Sequence, residues 1–202
     1  MFSEHTYIPE ILDCIKKRLD FMVLLHCKTL FVRFDVRFAS GTIHNGPSTE
    51  ISDLMRALAG FYRQQEHPIR MHYIWVREHN GSDAPHYHVI LLLNGSLVQN
   101  PMGVWAKASE FWSWITNGPA ALVHLCGGMM IRRPSTMVVG EGRIVQQNAF
   151  QSAYTDALNW GSYLAKEFSK GNAPYRMRQY GSSRLWPMTP DQLNRLKDFV
   201  YP

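Results

Sequence analysis

Cysteine is scarce in this chain of 202 residues: Cys14, Cys27 and Cys126 are the only three, and they lie far apart. They offer neither a disulfide framework nor a CxxC zinc pattern, and they fit a reducing, cytoplasmic setting. No run approaches the ~18 apolar residues that a membrane span requires, so no membrane partner is expected. Met1-Phe2-Ser3-Glu4-His5 lacks a basic start followed by an apolar run, and no signal peptide is expected. Internal repeats, low-complexity stretches and an interdomain linker are also missing. Only 18% of residues are charged while 46% are hydrophobic, which excludes intrinsic disorder. A chain this long buries roughly 70% of the surface its unfolded form exposes and folds without disulfides or a structural metal. The charge present is skewed, with 21 Lys and Arg against 16 Asp and Glu, a net of +5. A mildly basic domain is compatible with a polyanionic partner.

Periodicity supplies the elements. Ile11, Ile15, Leu19 and Met22 recur at helical spacing behind Pro9, which suits a helix start. Leu30–Phe38 alternates: Leu30, Val32, Phe34, Val36 and Phe38 share one face, and Phe31, Arg33, Asp35 and Arg37 the other. Ser48 is placed to cap a helix with Ile51, Leu54, Met55, Leu58, Phe61 and Tyr62 inward. Residues 71–78 and 86–94 read as strands joined by a polar loop. Residues 104–116 read as a helix closed by Asn117-Gly118. Short strands are expected at Ala121–Cys126 and Thr136–Val139, and a long helix over 149–170. Thr189-Pro190-Asp191-Gln192 is a capping box before a final helix. The order implies an α+β fold, a mainly antiparallel sheet flanked by helices. One domain is expected, with an N-terminal helix in residues 1–28 packed on a core of residues 29–202.

The sharpest local signal is His86-Tyr87-His88 at the head of an apolar strand. Residues two apart in a strand point the same way, about 6.5–7 Å apart, which suits two imidazoles converging on one divalent ion. Glu78 ends the preceding strand, and a hairpin return brings it level with His86. Two His and one carboxylate leave coordination positions open, as a catalytic site needs. A nitrogen and oxygen set without thiolate suits Mg2+ or Mn2+, and also admits Zn2+ or Co2+. His79 and Asp35 are rival third ligands.

A second signal is Ser162-Tyr163-Leu164-Ala165-Lys166. On a helix over 149–170, the apolar stripe is Phe150, Ala153, Ala157, Gly161, Leu164 and Phe168. Tyr163 falls about 120° from its centre, taking ~100° per residue, and Lys166 lies nearly opposite it. Three apart, the two are surface neighbours, and the ammonium can lower a phenol pKa or neutralise a phosphate. Tyr154 falls on another side of the helix. A third signal, Tyr175–Trp186, interleaves Arg176, Arg178 and Arg184 with aromatics. Arginines grip phosphates while aromatic faces stack on unpaired bases, although such a segment also packs well as a strap.

A polar-faced strand, then His-hydrophobic-His, then a helical Tyr with a Lys three residues on, resembles the motif order of the HUH endonucleases. A carboxylate eight residues before the first His is similar to the metal motif of small viral Rep nucleases. Ser-Tyr-Leu-Ala-Lys, the following Lys170 and Gly-Ser-Ser-Arg at 181–184 resemble more narrowly the filamentous-phage replication endonucleases and their prophage-encoded relatives. The likeness covers about residues 29–186. It implies a ferredoxin- or RRM-like core and a metal-dependent nickase that starts rolling-circle replication of a phage, prophage or plasmid. His86, His88 and Glu78 would then hold Mg2+ or Mn2+, with Tyr163 the nucleophile forming a 5′-phosphotyrosine and Lys166 its electrostatic partner. Tyr154 and Tyr175 are rival nucleophiles. Arg33, Arg37, Lys170, Arg176, Arg178 and Arg184 would grip single-stranded or origin DNA. No GxxxxGK[ST] occurs, so a host helicase would unwind the duplex and a host polymerase would extend the 3′ end. A Tyr transposase or relaxase, or a non-catalytic DNA-binding regulator, would use the same fold.

Overall fold

The computed structural model describes residues 7–42, 49–78, 84–119, 122–166 and 178–200, with side chains up to Arg195. Five strands form one antiparallel sheet: β1 (Lys28–Val36), β2 (His72–Glu78), β3 (His86–Asn94), β4 (Val123–Arg132) and β5 (Tyr180–Ser182), in the spatial order β4-β1-β3-β2-β5. The helices are α1 (Pro9–Leu25), α2 (Glu50–Arg63), α3 (Pro101–Thr116), α4 (Glu141–Ser162) and α5 (Pro190–Val200). This is the α+β architecture that the periodicity implies.

Strand alternation divides the interior in two. Leu30, Val32, Phe34 and Val36 of β1 and Tyr87, Val89, Leu91 and Leu93 of β3 pack against α2 and α3. Phe31 of β1, Ile90 and Leu92 of β3, and Ile74 and Val76 of β2 pack against α1 and α4. The central strands are buried on both faces, and each large apolar side chain fully buried there stabilises the fold by about 1.5–3 kcal/mol. The second face turns polar at one end of the sheet: Asp35, Glu78, His86 and His88 all lie on it, at the β1 and β2 C-termini and the β3 N-terminus.

Several boundaries differ from expectation. Pro134–Val139 carries no strand, and the expected strand at Ala121–Cys126 is the start of the ten-residue β4; Ala121 itself is outside the described residues. Helix α4 begins at Glu141, eight residues before the expected start, behind Gly140 in the left-handed region (φ 63°). Nothing in it is buried before Phe150, so no apolar stripe announces those turns. It ends at Ser162 and tightens into a 3₁₀ turn, Tyr163–Ala165. Lys166 is extended and bridges to Tyr7, while Ile8 N–H donates to the Ala165 carbonyl at 2.8 Å. Lys166 thus leaves the helical path where it pairs with the N-terminal segment, and residues 167–170 of the expected helix lie outside the described residues. The N-cap of α2 is Thr49, without a side-chain bond, and Ser48 lies outside the described residues. The capping box at α5 forms: Thr189 N–H donates to Gln192 Oε1 at 2.9 Å, and Gln192 N–H to Thr189 Oγ1 at 3.3 Å.

Strand β5 is fastened to the sheet and to α1. A Cβ on Gly181 would stand 2.5 Å from the Trp75 indole, so only glycine fits there. Buried Arg18 of α1 donates to Ser182 Oγ at 2.6 Å and to the Ser183 carbonyl. Ser183 Oγ lies 3.0 Å from Nδ1 of His72, a residue 2% exposed whose Nε2 has no partner. Burial, with Arg18, Arg70 and His26 nearby, brings His72 down to about 4 from 6.5. The unfolded chain protonates this imidazole near pH 6.5 and the folded one near 4, so stability is lost as pH falls between those values, by about 2 kcal/mol at pH 4.5. Thermal melts of wild type and His72→Gln between pH 7 and 4.5 are expected to show a flatter acid limb in the variant. Parallel limbs would remove His72 from the account.

Candidate functional site

Three adjacent strands assemble the site. Glu78 pairs directly with His86 across β2 and β3, and Asp35 with His88 across β1 and β3. Because all four side chains leave the same face, every imidazole nitrogen meets a carboxylate. His88 Nδ1 is 2.7 Å from Asp35 Oδ1 and its Nε2 2.9 Å from Glu78 Oε2. His86 Nδ1 is 3.2 Å from Glu78 Oε2, and its Nε2 faces Asp35 Oδ2 at 3.5 Å. His88 is 2% exposed, Glu78 6% and Asp35 9%, so these charges meet in a poorly hydrated setting. Burial would raise the Asp35 pKa, but the two imidazoles that face it, His86 and His88, hold it well below the usual carboxylate range. Burial would lower His86, but the Asp35 and Glu78 carboxylates hold it above its ordinary value.

Asp35, His86 and His88 offer ligand atoms within 4.8 Å of one another and form a candidate metal site. The buried His86 Nε2 has no hydrogen-bond partner, and in the tautomer protonated at Nδ1 it turns a lone pair to an ion on the Asp35 side. Asp35 thus takes the converging position that the hairpin argument gave to Glu78. Glu78 touches the other nitrogen of each ring, the position from which a carboxylate can orient an imidazole. His79 lies outside the described residues.

Tyr163 stands over this ring of charges. Its ring meets His88 edge-on with centroids 5.5 Å apart, and it is 38% exposed. Arg33 Cζ lies 4.3 Å from its centroid and Lys166 Nζ 4.9 Å. The 3₁₀ turn keeps residues 163 and 166 on one side, as the helical reading required. Tyr154, by contrast, is 4% exposed and donates its hydroxyl to Asp20 within the α1–α4 core. Tyr175, Lys170 and Arg176 lie outside the described residues. Arg37, Arg178 and Arg184 are exposed, whereas Arg33 is buried beneath Tyr163 rather than displayed on the surface. The sequence reading also passed over Cys126. It is the extra residue of a β-bulge where β4 slips against Arg33 and Phe34, and burial with neighbouring Asp35 pushes its thiol up to about 11. Bulges often re-aim a strand beside a site, but one cysteine in an edge strand leaves no pattern in sequence.

One comparison decides the family. The model of the YagK/YfjJ C-terminal domain matches residues 1–183, most of the chain. The chain belongs to the YagK/YfjJ C-terminal domain family. No curated protein and no solved structure matches it. The YagK/YfjJ match spans every element of the site, from the α1 packing through β1, the hairpin and Tyr163 to the Gly-Ser-Ser run that Arg18 clamps. No helix among the described residues is long and apolar enough to cross a membrane.

Proposed function

We propose that this YagK/YfjJ-family domain is a metal-dependent enzyme of the HUH type that nicks and rejoins single-stranded DNA, initiating rolling-circle replication. The observation that carries the reading is the meeting of two histidines, two carboxylates and a half-exposed tyrosine flanked by cations at one end of the sheet. Asp35, His86 and His88 would hold Mg2+ or Mn2+, with Glu78 orienting both imidazoles. Such an ion polarises a scissile phosphate when bound. The Tyr163 oxygen attacks phosphorus, the P–O3′ bond breaks, and the phenol proton passes through solvent to the departing 3′ oxygen. The products are a 5′-phosphotyrosine and a free 3′-OH that a host polymerase can extend. The reverse attack by a 3′-OH restores the diester, so the bond energy is kept for rejoining. Lys166 beside the ring stabilises negative charge on the phenol oxygen in either direction.

The test is covalent capture. The full chain, incubated with labelled single-stranded DNA and Mn2+, is expected to yield a product that survives denaturing electrophoresis and carries a phosphotyrosine by mass spectrometry. DNA binding without an adduct, across oligonucleotides drawn from its candidate origins, would favour the non-catalytic regulator. Exposed Arg178 and Arg184 flank β5 and suit backbone phosphates. Replacing both with Gln is expected to weaken binding and to flatten the salt dependence by about 1.4 in log–log slope, since each lost single-strand contact removes ~0.7. An unchanged slope in fluorescence-anisotropy titrations would make the segment a packing strap.

A further inference from the structure

Among the described residues, Arg33 is a buried cation without an anion. It sits on β1 two residues before Asp35, on the same face, and is 7% exposed. Its neighbours across the sheet are Ile90 on β3 and Gly127 on β4, neither of which can pair with a charge. Among the described residues no carboxylate lies within ion-pair distance of it, because both Asp35 oxygens turn to His86 and His88. Its Nε is buried without a hydrogen-bond partner. The guanidinium instead lies under the Tyr163 ring at 4.3 Å. One flank is closed: the Trp160 ring packs so tightly on Gly127 (φ 147°) that a Cβ there would stand 2.3 Å from it. The other flank is the half-exposed Tyr163.

Folding alone does not account for this residue. Taking a guanidinium out of water is costly unless its charge and donors are matched, and a ring face offsets only part of that cost. Methionine would fill the same slot without it. A planar fork held rigidly beside a tyrosine, with donors unspent, matches two oxygens of a phosphate. We infer that Arg33 is the anion-binding residue of the site, holding the non-bridging oxygens of the phosphate that Tyr163 attacks and of the phosphotyrosine that results. This rests on the nicking reading and assigns Arg33 a role different from that of exposed Arg37, Arg178 and Arg184. Those would set affinity for DNA, whereas Arg33 acts on the chemical step. Lys166 follows the 3₁₀ turn on a flexible stem, so the two cations divide the work: Arg33 is fixed on phosphate and Lys166 is on the phenol oxygen.

The test uses the full chain as wild type, Arg33→Met and Arg33→Lys, with two readouts. In EDTA, inorganic phosphate is expected to raise the melting temperature of wild type but not of Arg33→Met, and to bind Arg33→Lys at least about 10-fold more weakly because the fork is lost. Without phosphate, Arg33→Met is expected to melt no lower than wild type, which a merely structural arginine would not allow. With saturating single-stranded DNA and Mn2+, Arg33→Met is expected to form adduct about 10²-fold more slowly with DNA affinity within about 3-fold of wild type. A phosphate-induced shift that persists in Arg33→Met, or an unchanged adduct rate in both variants, would overturn the assignment. If wild type forms no adduct while the phosphate shift still depends on Arg33, the nicking reading fails and the anion site stands. Should Arg33→Met not fold, Arg33→Lys decides on both readouts.

Discussion

Tyr163→Phe is expected to abolish the covalent protein–DNA adduct while leaving DNA and Mn2+ affinity nearly unchanged. The substitution removes one oxygen from a ring that is 38% exposed. It keeps the edge-on contact with His88 and the ring contacts with Arg33 and Lys166, so the packing of the ring is retained. Any loss is then chemical. Lys166→Ala is expected to slow adduct formation by about 10²-fold, the scale of losing one well-placed charge stabiliser. Tyr154→Phe is the informative contrast. Its hydroxyl donates to buried Asp20, which also pairs with Lys16 at 2.6 Å, so that variant should keep the adduct and lose about 1 kcal/mol of stability. Peptide mapping of the adduct checks the assignment: a phosphotyrosine on any peptide lacking residue 163 would overturn it.

The parts of this site that follow from neighbouring residues were readable in the chain. Two-residue alternation set the faces of β1, and the short β2–β3 connection put Glu78 opposite His86, as the register confirms. Asp35 was readable only as a rival. Its pairing with His88 depends on β1 lying between β4 and β3, a non-local choice that alternation within one strand does not encode. Alternation also reports a face and not a depth. Arg33 and Arg37 share a face, yet one is buried under Tyr163 and the other is exposed, because the 3₁₀ turn after α4 covers only the first. Projecting residues 149–170 as one helix misplaced both ends of α4. Its first turns carry no buried side chain, and its last gives way to the pairing of Lys166 with Tyr7. Tyr163 and Lys166 stayed neighbours regardless, since residues three apart stay aligned in either kind of helix.

Asp35→Asn is expected to lower Mn2+ affinity further than Glu78→Gln, and to abolish adduct formation at Mn2+ concentrations that saturate wild type. The two carboxylates look equivalent by distance, since each lies against both imidazoles. They differ in what they leave unmade. On the Asp35 side, His86 Nε2 is buried without a hydrogen bond, at 3.5 Å from the nearer oxygen, and an ion inserted there would satisfy it. On the Glu78 side both imidazole nitrogens already lie within 3.2 Å of one oxygen, so an ion would have to displace two contacts there, against the single His88 Nδ1–Asp35 Oδ1 bond on the Asp35 side. The amide in Asp35→Asn replaces an anionic ligand of the ion by a neutral one. Glu78→Gln keeps the shape and loses only the charge that orients the rings, which typically costs 10–100-fold in affinity. His86→Ala and His88→Ala should each remove Mn2+ binding in calorimetry, because either leaves a site with one imidazole. A reversed ranking, with Glu78→Gln the more damaging and Asp35→Asn near wild type, would move the ion to the other side of the histidine pair. It would leave Asp35 as the residue that holds their orientation.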